Sequence, residues 1–471
     1  MCERVRVNIS RYGTKAWGLL IDLDLTFVEW KGLSLEKKCG VKPQKTSGKI
    51  AVCICTNIWL GLYHGGVDRI VEFSKALSRH GADVYIVDRL AKKSLSALLI
   101  DGDKYFRVDN GKLKELKYPL YIRFLFPGII KFLQEAFNRL FGLLTRTAFS
   151  EANSFHILDP YLIVKLLFVC KREKIDLIQC EFPFTALSSL IVKKITGVQT
   201  IYDAHNIESE RLKSRGDVSS LYTAIVRRLE LASCKRCDSV FVVSEDDRRT
   251  MLSWNIPSEK IHVIPNSVDL KRFSPFVDGT AVRSKHNLND AFVIIFHGFL
   301  SYMPNREAAT LLVANILPRI LEKHPDVYLL LVGKNPPELF HPNVISTGFV
   351  KSTAEYLAAA DLAVVPLMRG GGTKLKMLEY LASGKAIVST FKAAEGLDLE
   401  NGKDLLMSKY PDTEFVQLVL RCIEDKNLRK SLAVNARKKA KYLFDWELNG
   451  EKAVCIYQDL LRASYCVEGR L

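Results

Sequence analysis

The chain has 471 residues, 48% of them hydrophobic and 25% charged, a balance that excludes a disordered chain and a length that favours more than one core. Sixty-eight Lys plus Arg against 52 Asp plus Glu leave a formal charge of +16, which points to a polyanionic partner, nucleic acid or an anionic membrane face, without choosing between them. No uninterrupted apolar run reaches the ~18 residues of a spanning helix. Eleven cysteines at irregular spacings, with no secretory leader, fit a reducing cytoplasm better than a disulfide framework.

Residues 1–48 are poorly patterned and are read as an extension without an assigned role. Clean alternation begins at "KIAVCICTNIW", a buried-strand run followed by a loop with His64, Gly65 and Gly66. Val67, Ile70, Val71, Phe73 and Leu77 then recur at helical spacing, Gly81 closes the helix, and "DVYIV" is the next strand. Strand, glycine loop, helix and strand make the signature of a parallel α/β sheet. The segment from Pro119 to Leu144 sets Arg123, Lys131 and Arg139 among Phe and Leu. It reads either as a basic amphipathic surface for anionic lipid or as a helical pair packed on the first sheet. "KIDLIQC", "VQTIYDAHN" and "CDSVFVVS" are further strands; Glu181, Asp203, His205, Asn206 and Ser244 fall at their carboxyl ends, where ligands bind in such sheets. Cys234 and Cys237 in "CKRC" lack a second ligand pair for zinc and read as neighbours on a helix face.

The polar "FVDGTAVRSKHNLND" reads as an interdomain linker. A second α/β series follows, with strands "FVIIFHG", "VYLLLVG", "VISTGFV", "LAVVPL" and "AIVST", and "DWELNGEKAVCIYQDLLRA" closes the chain as an amphipathic helix. The division expected is 49–275, 276–440 and a final helix and tail over 441–471.

The chemistry concentrates in "RGGGTKLKMLEYLA", residues 369–382. On a helix, Leu375, Leu378, Leu381 and Ala382 share an apolar face, with Thr373, Lys376, Glu379 and Tyr380 on a neighbouring stripe. Gly370, Gly371 and Gly372 let the backbone approach a ligand, and the unpaired amides of the helix start offer an anion site. A diphosphate fits, with Arg369 and Lys374 or Lys376 adding positive charge. Glu379, one turn on, is placed for sugar hydroxyls such as those of a ribose. Neither a Walker loop nor a GxGxxG fingerprint is present, which leaves a nucleotide sugar as the ligand.

In order and spacing, "GGVDRIVEFSKAL", "YDAHNIE", "FVVSEDD", "VIPNSVDLKRF", "HGFLSYMPN", "LLLVG", "TGFV" and "GGGTKLKMLEYLASGKAIVST" resemble the retaining GT-B glycosyltransferases of family 4, also called group 1. The likeness runs from Lys49 to the last helix. It implies two Rossmann-like α/β domains facing across a cleft, with the C-terminal helix, bearing Trp446, returning to the first. It implies transfer of a hexosyl-type sugar from a nucleoside-diphosphate sugar to a saccharide or lipid-linked saccharide. With amides, Arg369 and Lys376 on the diphosphate, no metal or cofactor is expected, the aromatic-basic repeats of nucleic-acid modules are not apparent, and the place expected is the cytoplasm or the inner membrane face. Gly65, Gly66 and Gly298 join the donor site; Phe349 and Val350 lie where the family contacts the base; His205 approaches the transferred sugar; Glu379 binds ribose. Glu181 and Asn206 are the acceptor-side candidates.

Two departures stand out. The first glutamate of the family's E-x7-E motif falls at Gly371, so its hydroxyl contacts pass to backbone amides, Thr373 or another residue. The usual Arg and Lys pair is missing from "HGFLSYMPN"; Arg369 with Lys376, which the helical wheel prefers to Lys374, is the expected substitute. The resemblance implies front-side attack with the leaving phosphate taking the acceptor's proton, so no general base is assigned. Rival readings are an epimerase of the same architecture, which needs acid and base residues around the donor sugar, and a noncatalytic nucleotide-sugar or polyanion-binding protein.

Overall fold

The computed structural model describes residues 49–56, 65–88, 104–119, 122, 159–215 and 218–468. Apart from Pro119 and Ile122, the Phe-rich basic segment lies outside the described residues, as do His64 and residues 1–48.

The first sheet holds β1 (Ala51–Thr56), β2 (Asp83–Asp88), β3 (Lys104–Asp109), β4 (Lys112–Lys117), β5 (Leu177–Glu181), β6 (Gln199–Ala204), β7 (Ser239–Val242) and β8 (Ile261–Val263), in the order 4-3-2-1-5-6-7-8. From β2 to β8 every pairing is parallel, and β3 and β4 add an antiparallel edge. The second sheet is parallel throughout, ordered 11-10-9-12-13-14, with β9 (Phe292–His297), β10 (Val327–Val332), β11 (Val344–Gly348), β12 (Leu362–Val365), β13 (Ala386–Thr390) and β14 (Leu406–Ser408). Strands such as β1, buried at all six positions, are covered on both faces, which is why they read as apolar runs. Strand order reverses between β1 and β5 and between β9 and β12, and each reversal opens a crevice at the carboxyl ends.

The helices that shape the site are α1 (Gly65–Arg79), α2 (Glu208–Arg215), α3 (Ser220–Arg236), α4 (Met303–Leu311), α5 (Leu375–Ala382), α6 (Lys426–Leu443) and α7 (Trp446–Glu468). The second core runs from Val268 to Phe444. One face of the first sheet packs Ile54, Phe73, Trp446, Ala453 and Tyr457 together, so α7 completes a core begun four hundred residues earlier. Its contact with α1 is close: a Cβ on Gly450 would lie 2.7 Å from that of Ala76, and Arg79 pairs with Glu447 at 2.7 Å.

Two local features differ from the sequence reading and a third agrees with it. The β3–β4 hairpin was not foreseen, although Asn110 and Gly111, at φ 49° and 71°, are the turn pair that right-twisted hairpins select. The stretch read as a linker contains a helix, Thr280–Lys285, with Val282 and Leu288 in the second core. Cys234 and Cys237 are both buried, against Met251 Sδ (3.8 Å) and Cys180 Sγ (4.0 Å) respectively, a packing role in the first sheet.

Candidate active site

The glycine loop leaves β12 and crosses the seam between the two sheets. A Cβ on Gly371 would fall 3.1 Å from Arg211 Cγ, and one on Gly372 only 2.0 Å from Asn206 Oδ1. With φ at +66°, Gly372 is a position where the left-handed backbone and the close approach both demand glycine. The loop therefore lies directly on the residues that follow β6. Gly371, itself exposed, thus lies beside Arg211, whose guanidinium Glu208 grips through Nε at 2.9 Å and again through Nη2.

On the first-sheet side, His205 and Glu181 meet. His205 Nε2 hydrogen-bonds Glu181 Oε2, and Gln179 Nε2 donates to Glu181 Oε1 at 2.8 Å. Burial holds the His205 imidazole near 3, despite Asp203 nearby, and pushes the Glu181 carboxyl up to about 7. The imidazole is thus neutral at physiological pH. Phe182 packs against the ring, tilted by 38° at a centroid distance of 4.2 Å. Its own backbone sits at φ 63°, ψ 159°, a region almost confined to glycine and costing ~1–3 kcal/mol for other residues.

Asp203 and Arg69 form a buried pair at 2.9 and 3.2 Å. Ligand atoms of Glu181, Asp203 and His205 lie within 4.8 Å of one another, a spacing a cation could use. Each is already engaged, Asp203 by Arg69 and Gln179, and Glu181 by Gln179 and His205. That donor set fits an internally neutralised network rather than a cation site.

On the second-sheet side, Lys374 is the N-cap of α5, with no side-chain cap over the helix's first amides. Lys376 is buried; its Nζ donates to Asn305 Oδ1 at 2.7 Å, lies 4.1 Å from the Phe296 ring centroid, and would be 2.9 Å from a Cβ on Gly298. It reaches the loop after β9, where the sequence lacks the expected basic pair. Burial lowers its ammonium to about 7, and that of Lys374 to about 8. Lys374 Nζ forms an ion pair with Glu395 at 3.6 Å, too long for a hydrogen bond, and is buried without a hydrogen-bond partner among the described residues.

Glu379 Oε2 lies 3.0 Å from His297 Nε2, yet the angle makes no hydrogen bond, and both atoms are buried without a partner among the described residues. A carboxylate oxygen and a ring nitrogen thus sit side by side, each without a hydrogen bond. Across the seam, burial and then the Glu379 charge raise Asp68 of α1 to about 6.

The remaining predicted residues are placed as follows. Arg369 is exposed and pairs through Nε with Glu307 of α4 at 3.0 Å, so Lys376, not Arg369, is the cation held inside the fold. Gly65 and Gly66 open α1. Gly298 and Gly333 bring their loops together, since a Cβ on Gly333 would meet Gly298 O at 1.8 Å. Phe349 is 66% exposed and Val350 half-buried beside β11. Thr373 accepts from Asn266 Nδ2 at 2.6 Å. Arg69, Asp68, Gln179, Asn266 and His297 were missed; only Arg69, a charge inside the apolar spacing of α1, carried a sequence signal.

Residues 63–272 match the family described as "Glycosyltransferase Family 4", and residues 291–425 that described as "Glycosyl transferases group 1". The D-inositol 3-phosphate glycosyltransferase of Corynebacterium jeikeium is 21% identical over 64% of this chain and 76% of its own. A UDP-Gal:alpha-D-GlcNAc-diphosphoundecaprenol alpha-1,3-galactosyltransferase of Escherichia coli is 24% identical over 65% of this chain and 81% of its own. Among solved structures, sucrose-phosphate synthase of Thermosynechococcus elongatus superposes with TM-score 0.64 at 16% identity, covering 88% of this chain and all of that one. The Anabaena HepE complex with UDP and glucose gives 0.59 at 16%, covering 87% of this chain and all of its own. With its two parallel sheets and this pattern of motifs, the chain belongs to the group 1, family 4 glycosyltransferases of the GT-B fold.

Proposed function

We propose that the protein is a retaining glycosyltransferase that moves a hexosyl-type sugar from a nucleoside-diphosphate sugar to a saccharide or lipid-linked saccharide. The observation that carries this reading is the loop and helix from Gly370 to Glu379. Uncapped amides at the start of α5, two buried lysines and a carboxylate oxygen without a hydrogen bond follow one another over ten residues, in the order diphosphate then ribose. Departure of the nucleoside diphosphate builds negative charge on its β-phosphate, and fixed positive groups there favour the transition state over the ground state. Lys376 and Lys374, whose ammonium groups burial makes easier to deprotonate while the site is empty, are held charged once the phosphates arrive, and in this reading no metal is required. The acceptor hydroxyl attacks from the face the diphosphate leaves, the diphosphate takes its proton, and closure of the seam on the glycine loop keeps water from the donor.

On the acceptor side, the neutral His205 ring, held between Glu181 and Phe182, is directed at the transferred sugar. Relatives whose names specify diphosphoundecaprenol- or phosphatidylinositol-linked substrates support a lipid-linked acceptor, as does the +16 charge for work at the inner membrane face. No helix among the described residues is long and apolar enough to cross a membrane. The test is a calorimetric and thermal-shift panel of UDP-, GDP- and ADP-sugars with chelator present, on wild type and Glu379→Ala. One donor family should raise the melting temperature by mass action, and the variant should lose that response. If wild type responds to no nucleotide or nucleotide sugar, the reading is wrong and a different ligand class occupies the cleft.

A further inference from the structure

We infer that Asn266, in the segment after β8, is a positioning residue that fixes the glycine loop in register with His205. The inference rests on the donor reading of that loop for its purpose, but not for its geometry. A carboxamide offers one accepting and one donating end, and Asn266 uses each on a different sheet. Its Oδ1 accepts from Arg69 Nη1 at 3.2 Å, and its Nδ2 donates to Thr373 Oγ1 at 2.6 Å. The reverse orientation would set an NH2 against a guanidinium, donor against donor, so Arg69 dictates which end faces the loop.

Behind Arg69 the chain of bonds continues without a gap. Arg69 Nη2 donates to both oxygens of Asp203, and Gln179 Nε2 donates to Asp203 Oδ2 (3.0 Å) and to Glu181 Oε1 (2.8 Å). Glu181 Oε2 meets His205 Nε2, and Tyr457 of α7 donates to Gln179 Oε1. Every member except Thr373 is less than one-tenth exposed. In so dry a setting each bond is strong and a partner left unpaired is costly, so the members settle together or not at all.

Thr373 is the one link that belongs to the glycine loop. Filling that loop moves or steadies Thr373, and Asn266 transmits the change to Arg69, to the charges around Glu181 and so to the ring of His205. The seam thereby reports donor occupancy to the acceptor side through a named side chain.

The test uses full-length protein labelled at the Cε1 carbon of its nine histidines, with the His205 signal assigned from His205→Gln. Without ligand, Thr373→Val and Asn266→Ala should each move the His205 signal by more than its linewidth, while Thr373→Ser, which keeps the hydroxyl, leaves it in place. The inference is overturned if folded Thr373→Val shows His205 at its wild-type position. Should Asn266→Ala fail to fold, the valine and serine pair decides alone. With UDP, GDP and ADP as probes, the nucleotide that binds should shift His205 in wild type but not in Thr373→Val, and its affinity for Thr373→Val should fall about tenfold, the worth of one hydrogen bond. If no nucleotide binds wild type, the donor reading fails, while the comparison without ligand still tests the relay.

Discussion

Replacing Lys376 by methionine should make the empty protein more stable. An ammonium lowered from 10.5 to about 7 by burial carries about 5 kcal/mol of disfavoured charge, at ~1.4 kcal/mol per pH unit. Against that stand the hydrogen bond to Asn305 (2.7 Å) and the contact with the Phe296 ring (4.1 Å), worth about 1 and about 1–2 kcal/mol. Lys376→Met should thus gain about 2–3 kcal/mol at pH 6. The sign follows from linkage: a lysine lowered in the folded state binds fewer protons there than in the unfolded chain, so wild-type stability rises with pH between about 7 and 10.5. By pH 9 the folded lysine is mostly neutral, the remaining cost falls to about 2 kcal/mol, the attraction to the ring is lost with the charge, and the advantage of methionine falls to about 1 kcal/mol. Unfolding midpoints of both proteins in parallel buffers from pH 6 to 9 check this, with nucleotide binding lost in the variant. A variant less stable than wild type at pH 6, or a difference that does not change with pH, would refute the claim that Lys376 is held charged against its surroundings.

Nucleotide affinity should weaken as pH rises from 7 to 9, because phosphates arriving beside lysines held near 7 and 8 draw protons onto them; calorimetry in two buffers of different ionisation heat reads the uptake directly. At residue 182 the usual preference for alanine over glycine should invert. Phe182→Gly should melt above Phe182→Ala because only glycine is at ease at φ 63°, ψ 159°, and the opposite order would mean the backbone there is unstrained. Gly372→Ala should push the loop off Asn206, given a Cβ placed 2.0 Å from Oδ1. Nucleotide affinity should drop at least tenfold in calorimetry, beyond the ~1 kcal/mol of a left-handed alanine.

The sheets were legible because strands covered on both faces are apolar runs and their helices repeat at helical spacing. The glycine loop, His205 and Glu379 were legible because each belongs to a short local pattern. The hairpin escaped because β4, "KLKELK", is an edge strand with too little apolar character to stand out. The relay was illegible for a different reason. Arg69 is 134 residues from Asp203 and 197 from Asn266, and Asn266 is 107 from Thr373, so each residue alone looks like an ordinary polar side chain. Arg369 shows the converse: its place beside the glycines was plain, but only the fold reveals Glu307 beside it.

The position of α7 has a consequence for how the chain is made. Trp446, Ala453, Val454 and Tyr457 belong to the core of the first sheet, although that sheet's strands end at Val263. During synthesis the first domain therefore waits with one face uncovered while the whole second core, Val268 to Phe444, emerges and folds. A nascent chain halted before residue 446 would leave Phe73, Ile54 and Phe241 uncovered as a chaperone-binding surface, and release of the final helix is the event that closes the first core over them.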